Sequence, residues 1–256
     1  MTKDKNKTEV STEVMEDILA TAGEGVDYDT SELQIPFVRV IQALSPQVKK
    51  SDSAFIKDAA QGDLFNTVTG EFWKAEDGIV VIPCYQETKY LEFTPRDSGG
   101  GFVGELKASD PDILKATRSG AKEILPNGNE VVKSDQHYCM IMNKDGSAQP
   151  AIIDMKSTQL KISRRWKTQI AMQKISDKNG VSRTPALFAT MWKLTTVEES
   201  NDMGTWYNYA VEKVKLVDNK SILVEAKNFR SSIESGAAKA VAEDVAPSGD
   251  DEDIPF

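Results

Sequence analysis

The sequence predicts a mainly β fold with inserted helices, an OB-like barrel, flanked by acidic ends that are expected to be disordered. Three observations carry that expectation. Runs rich in β-branched and aromatic residues recur between residues 78 and 217, separated by turn-forming segments such as "PRDSGGG", "PNGN", "NKDGSAQ" and "SNDMG". Only one long stretch, "STQLKISRRWKTQIAMQKIS" (157–176), has a strong helical period. Both ends are too polar to build a core.

Residues 1–32 carry three lysines against nine acids, a net −6, and are read as an acidic segment that is partly disordered. Within them "TEVMEDILATA" (12–22) fits a short amphipathic helix with Val14, Ile18 and Leu19 on one side. The N-terminus has no apolar segment of the kind a signal peptide needs. Residues 33–236 form the expected globular domain. Its predicted strands are "GIVVIPCY" (78–85), "KYLEF" (89–93), "HYCMIM" (137–142), "PAIIDM" (150–155), "ALFATMWKLTTV" (186–197) and "TWYNYAVEKVKLV" (205–217). A helix over 110–121 opens with acids and Pro111 and closes near a glycine; in 157–176 Ser157 is the expected N-cap. "SGGGFVG" (98–104) reads as a hairpin loop, since nothing at helix-entry spacing makes it a phosphate cradle. Residues 237–256 turn to Ala, Ser, Pro, Gly and acids and are expected to be a disordered tail.

Charge distribution decides what the domain can bind. The chain is −9 overall, but residues 243–256 hold six acids and no base, so the body between the two ends is +3. Segment 154–193 sets nine bases against Asp154 and Asp177. On its helix Ile162, Trp166 and Ile170 share an apolar stripe, leaving Lys161, Arg164, Arg165, Lys167 and Lys174 to face water or phosphate. In the last strand, alternation puts Tyr207, Tyr209, Val211, Lys213 and Lys215 on one face. Rings followed by lysines suit a single nucleic-acid strand, with bases stacking at about 1–3 kcal/mol each; the same pattern also fits core tyrosines with lysines at a strand end. Trp73, Lys89 with Tyr90, and Lys193 beside Trp192 repeat the pairing of ring and base.

Other chemistries find little support. No P-loop is present, acids show no nuclease-like spacing, and His137 near Cys139 lacks an orienting acid, so no enzyme is expected. One histidine and two separated cysteines do not make a zinc site, and no metal or cofactor is expected. Cys84 and Cys139 lie in apolar runs and read as buried free thiols of a reducing cytoplasm. No apolar run is long enough to span a membrane.

The chain ends "DDEDIPF": Asp250, Asp251, Glu252 and Asp253, then Ile254, Pro255 and Phe256. This peptide resembles the terminus of bacterial single-stranded DNA-binding proteins, an aspartate run followed by Ile-Pro-Phe, with Glu252 the departure. The larger body resembles phage-encoded single-stranded DNA-binding proteins of the T7 type, which also end in acids and a phenylalanine. The resemblance implies an OB-fold, sequence-independent binding of single-stranded DNA in replication, recombination and repair, and a tail that docks on polymerase, helicase, primase or nuclease. The tail's physics agrees: Ile254 and Phe256 are anchors, Pro255 lowers the ordering cost, and the acids steer toward basic surfaces. Rival readings are a strand-annealing mediator, a DNA-processing enzyme carrying a recruitment tail, and an acidic adaptor that mimics DNA. The oligomeric state, a homodimer included, is left open.

Overall fold

Residues 11–21, Glu24, 34–120, 122–202 and 204–238 are described in a computed structural model of the chain. Two units are distinguished, residues 1–33 and 34–256. In the first, helix α1 (Thr12–Ala20) is capped by Ser11, whose Oγ accepts the Val14 N–H at 3.4 Å. Val14, Met15, Ile18 and Leu19 are all exposed on it.

The second unit is mainly β with inserted helices, as the runs of β-branched residues predict. Short strands β1 (Val38–Val40), β2 (Leu64–Asn66) and β3 (Phe72–Trp73) form one antiparallel sheet. Strand β4 (Ile79–Thr94) is 16 residues long and continuous, so the break expected between residues 85 and 89 is absent. A bulge at Pro83/Tyr85 lets it continue past a proline that has no N–H to donate. Strand β5 (Gly101–Leu106) folds back on it through the glycine-rich turn. The helix expected over 110–121 shrinks to one turn, α2 (Pro111–Leu114), capped by Asp110. Short strands β6 (Thr117–Ser119) and β7 (Lys122–Ile124) follow, then β8 (Glu130–Met142) and β9 (Ala148–Lys156).

Helix α3 (Leu160–Ala171) begins after a 3-10 turn at Ser157–Gln159. Ser157 is not its N-cap; it sits at φ +46° inside that turn. A ribbon of β10 (Ile175–Ser176) and β11 (Ser182–Arg183) leads on to β12 (Thr190–Asn201) and β13 (Gly204–Leu216). The chain closes its described part with α4 (Lys220–Glu234), capped by Asn219. Its signal is present in the sequence as Ile222, Ala226 and Phe229 at helical spacing.

The large sheet runs β13-β12-β4-β8-β7-β6, with β5 on β4 and β9 on β8. One face of it encloses Val81, Cys139, Ile141, Ile153, Trp192, Leu194 and Tyr209, joined by Val38 and Leu64 from the small sheet. On the other face, α4 covers Ile82, Cys84, Met140 and Met191. The thiols of Cys84 and Cys139 therefore lie on opposite faces, both buried and free, and burial drives the Cys84 pKa up to about 12.

Strand pairing does not close this sheet into a ring among the described residues. Residues 36–42 span the gap between β9 and β13 instead. Phe37 bridges Ile152 in parallel, and the Ile152 N–H donates to the Pro36 carbonyl at 2.8 Å. At the other side the Gln42 amide imitates a strand: Nε2 donates to the Tyr207 carbonyl and Oε1 accepts the Tyr207 N–H, each at 2.9 Å. Gly78 (φ +58°) marks a second close approach, because a Cβ there would strike the Leu194 carbonyl oxygen.

Candidate functional site

Helix α3 carries most of the predicted cations, and what lies beneath it sets which of them face outward. Trp166 is fully buried in the core, its ring stacked on His137 (centroids 4.6 Å apart) and set edge-on to Trp192 at 6.1 Å. Ile162 and Ile170 pack beside it, as the helical period predicts. Next to this apolar stripe a polar node ties α3 to β4 and β8. Asp135, buried, accepts from Thr88 Oγ1 at 2.7 Å, Ser163 Oγ at 2.7 Å and Lys167 Nζ at 2.6 Å. Burial alone would raise its pKa, but those three bonds outweigh it and hold the carboxyl below its usual range.

The node also sets the histidine tautomer. A carboxylate only accepts, so Ser163 gives its single proton to Asp135, and its oxygen accepts from His137 Nε2–H at 2.8 Å. His137 is then neutral; burial pushes its pKa down to about 3, with Lys167 adding to the effect and Asp135 opposing it. Acid, serine and histidine are all present, but the serine stands between the other two and all three are buried. A serine whose proton rests on the carboxylate is not activated by the imidazole. The arrangement clamps a helix to a sheet.

Two of the predicted helix cations are thereby engaged. The Lys167 ammonium belongs to Asp135, and Lys161 pairs with Glu199 at 2.8 Å, where Asn208 also donates. Arg164 and Arg165 are exposed, with no carboxylate within ion-pair reach among the described residues. Lys174 is exposed and donates to Thr184 Oγ1 at 2.9 Å.

Strand β13 divides the residues that alternation put on one face. Tyr209 is 3% exposed, and its hydroxyl donates to the Val38 carbonyl at 3.0 Å, so its ring belongs to the core and is not open to a base. Tyr207 is half-buried: its ring packs over Gly62 and its hydroxyl donates to Glu198 at 2.9 Å, which raises the phenol pKa. Gly62 sits at φ +86°, and any Cβ there would come within 2.7 Å of the Tyr207 ring. Beyond Val211 the strand outruns the core. Lys213 and Lys215 are exposed there, Lys215 paired with Asp218 at 2.6 Å, while Lys193 is half-buried on β12 opposite Glu212.

The remaining predicted residues lie elsewhere. Trp73 is half-buried against the core, and its neighbour Lys74 reaches Asp63 at 2.9 Å. Lys89 is taken up by Glu105 (2.9 Å) and Glu87 (3.5 Å), beside half-buried Tyr90. Along β4 both are far from β12, which pairs at Val81: eight residues of strand separate Lys89 from that point, roughly 26 Å. The tail residues Asp250 to Phe256 lie outside the described residues. Among the described residues, no three His, Cys, Asp or Glu side chains gather as a metal site requires. No described helix is long and apolar enough to cross a membrane.

Fold and surface together define a mainly β protein whose helix α3 presents Arg164 and Arg165 to solvent without an ion pair among the described residues. The chain belongs to the Pam3 phage gp34-like protein family, which matches residues 5–239 and so stops short of the acidic peptide. No curated protein and no solved structure matches it.

Proposed function

We propose that this phage-family protein binds single-stranded DNA without regard to sequence, and that its acidic C-terminal peptide recruits replication or recombination proteins of the infected cell's cytoplasm. The observation that carries the reading is the peptide "DDEDIPF" set behind a body of opposite charge. Support from the geometry comes from Arg164 and Arg165, whose guanidinium groups face solvent on α3 without a carboxylate partner among the described residues. Phosphate neutralisation needs such groups, since it is driven by counterion release. Tyr207 offers a half-buried ring, and Lys213 is exposed further along the same strand, while Lys193 points to the opposite face of β12. On this reading Lys161 and Lys167 act on DNA only by exchanging a carboxylate for a phosphate, and Lys89 and Tyr90 lie off the path. The tail competes with DNA for the same cations, because tethering gives it a high effective concentration.

Titration of tryptophan fluorescence with oligo-dT tests this. Removing residues 248–256 should leave binding unchanged or tighter while abolishing capture of replication proteins; loss of DNA binding on deletion would overturn the tail's role. In the same assay Tyr207→Ala should weaken binding by about 1–3 kcal/mol. Tyr209→Ala should instead lower the unfolding midpoint. If Tyr207→Ala leaves affinity untouched, the ring is no stacking platform.

A further inference from the structure

Resting on that reading, we infer that the β10–β11 ribbon is a second arm of the DNA-binding surface, with Lys178 and Arg183 taking phosphates and Ile175 and Val181 meeting bases. The ribbon continues directly from the end of α3. Gln173, in between, accepts from Thr190 Oγ1 of β12 at 3.0 Å, and the Lys174–Thr184 bond closes the ribbon's base. This anchored base keeps the ribbon in register with the helix that bears Arg164 and Arg165.

Pairing of Ile175 with Arg183 and Ser176 with Ser182 sorts the two faces. One carries Ser176, Ser182, Lys174 and Thr184; the other carries Ile175, Val181 and Arg183. Ile175 is 40% and Val181 48% exposed, and Met172 at the helix end is 74% exposed. A two-stranded ribbon has no core to bury such side chains in.

The ribbon's one acid forms no ion pair with its cations among the described residues. Asp177 Oδ1 is occupied by the N–H groups of Asn179 (2.8 Å) and Val181 (3.0 Å) in a turn completed by Gly180 at φ +77°. Neither Lys178 nor Arg183 has a carboxylate within ion-pair reach among the described residues. Exposed apolar side chains between unpaired cations match a ligand with apolar faces on a polyanionic backbone. A single DNA strand is that ligand, its bases unstacked and available, whereas a duplex hides them.

The full-length chain with K178Q/R183Q tests the inference, with K107Q/K144Q, two exposed lysines outside this surface, as control. Affinity for oligo-dT is measured against salt. Each lost phosphate contact should reduce the salt slope by about 0.7, so the ribbon variant should lose about 1.4 in slope and about 25-fold in affinity at 0.1 M salt relative to 1 M. The control should match the wild type, and thermal midpoints should stay unchanged because all four side chains are exposed. An unaltered slope in the ribbon variant, or an equal loss in the control, overturns the inference. So does a ribbon variant that keeps DNA binding but loses an acidic protein partner. Failure of the wild-type chain itself to bind oligo-dT removes the functional reading instead, and the two results are distinguishable in one titration series.

Discussion

Trp166→Ala is expected to destabilise the protein by about 3–5 kcal/mol, measured by urea unfolding followed by circular dichroism. The indole is fully buried and is the largest side chain joining α3 to the sheet, flanked by His137 and Trp192. Its removal leaves a cavity that the two rings cannot fill without abandoning their own contacts, and the His137–Ser163–Asp135 node stands directly beside it. Arg164 and Arg165 ride the same helix, so affinity for oligo-dT should fall with stability even though the indole touches no DNA. A loss below about 1 kcal/mol would mean that α3 is not seated through this residue.

The second large effect is a steep loss of stability in mild acid caused by one residue. His137 is the protein's single histidine, buried and neutral, with a folded pKa of about 3. Unfolded, it takes up a proton near pH 6.5. Between those values the unfolded state therefore binds more protons than the folded state, and stability falls as pH is lowered, by up to about 1.4 kcal/mol per pH unit from this residue. Asp135 acts in the same direction but lower: its folded pKa is held below its unfolded value, so its contribution is present above about pH 4 and is lost as pH falls through the folded pKa. His137→Asn separates the two, since the variant has no imidazole to protonate. Its stability should be flatter than the wild type's between about pH 6.5 and 4.5. In the wild type, the only imidazole C2–H resonance should not titrate near pH 6.5 while the chain is folded. Titration at a normal pKa would place His137 in water and contradict the node.

How far the sequence reached depended on the range of the interaction involved. The Ile162, Trp166, Ile170 stripe was legible because helical period is local; α4 was not predicted, although Ile222, Ala226 and Phe229 carry the same period. Alternation along β13 correctly grouped Tyr207, Tyr209 and Val211, but parity does not say which face is inside, and Tyr209 lies within. The fate of each cation was not legible. Lys167 meets Asp135 from 32 positions away and Lys161 meets Glu199 from 38, so tertiary pairing decided which lysines remain available. Arg164 and Arg165 kept their expected exposure because nothing acidic folds back onto them among the described residues. The terminal peptide was legible by composition and order, since recognition by short extended segments is written in consecutive residues.

The Gln42 seam has a mechanical meaning. A ladder between strands transmits a slip of one residue along its whole length and turns every side chain to the wrong face. Here segment 36–42 meets β13 through side-chain bonds, the Gln42 amide on Tyr207 and the Tyr209 hydroxyl on the Val38 carbonyl. Such fastenings act at separate points and not along a ladder, so a slip at this seam is not passed on to the pairing of β12 with β4 or of β8 with β9. The distance between the β9 and β13 edges is thus set by a clasp of side chains, fastened at Tyr207 and at Tyr209.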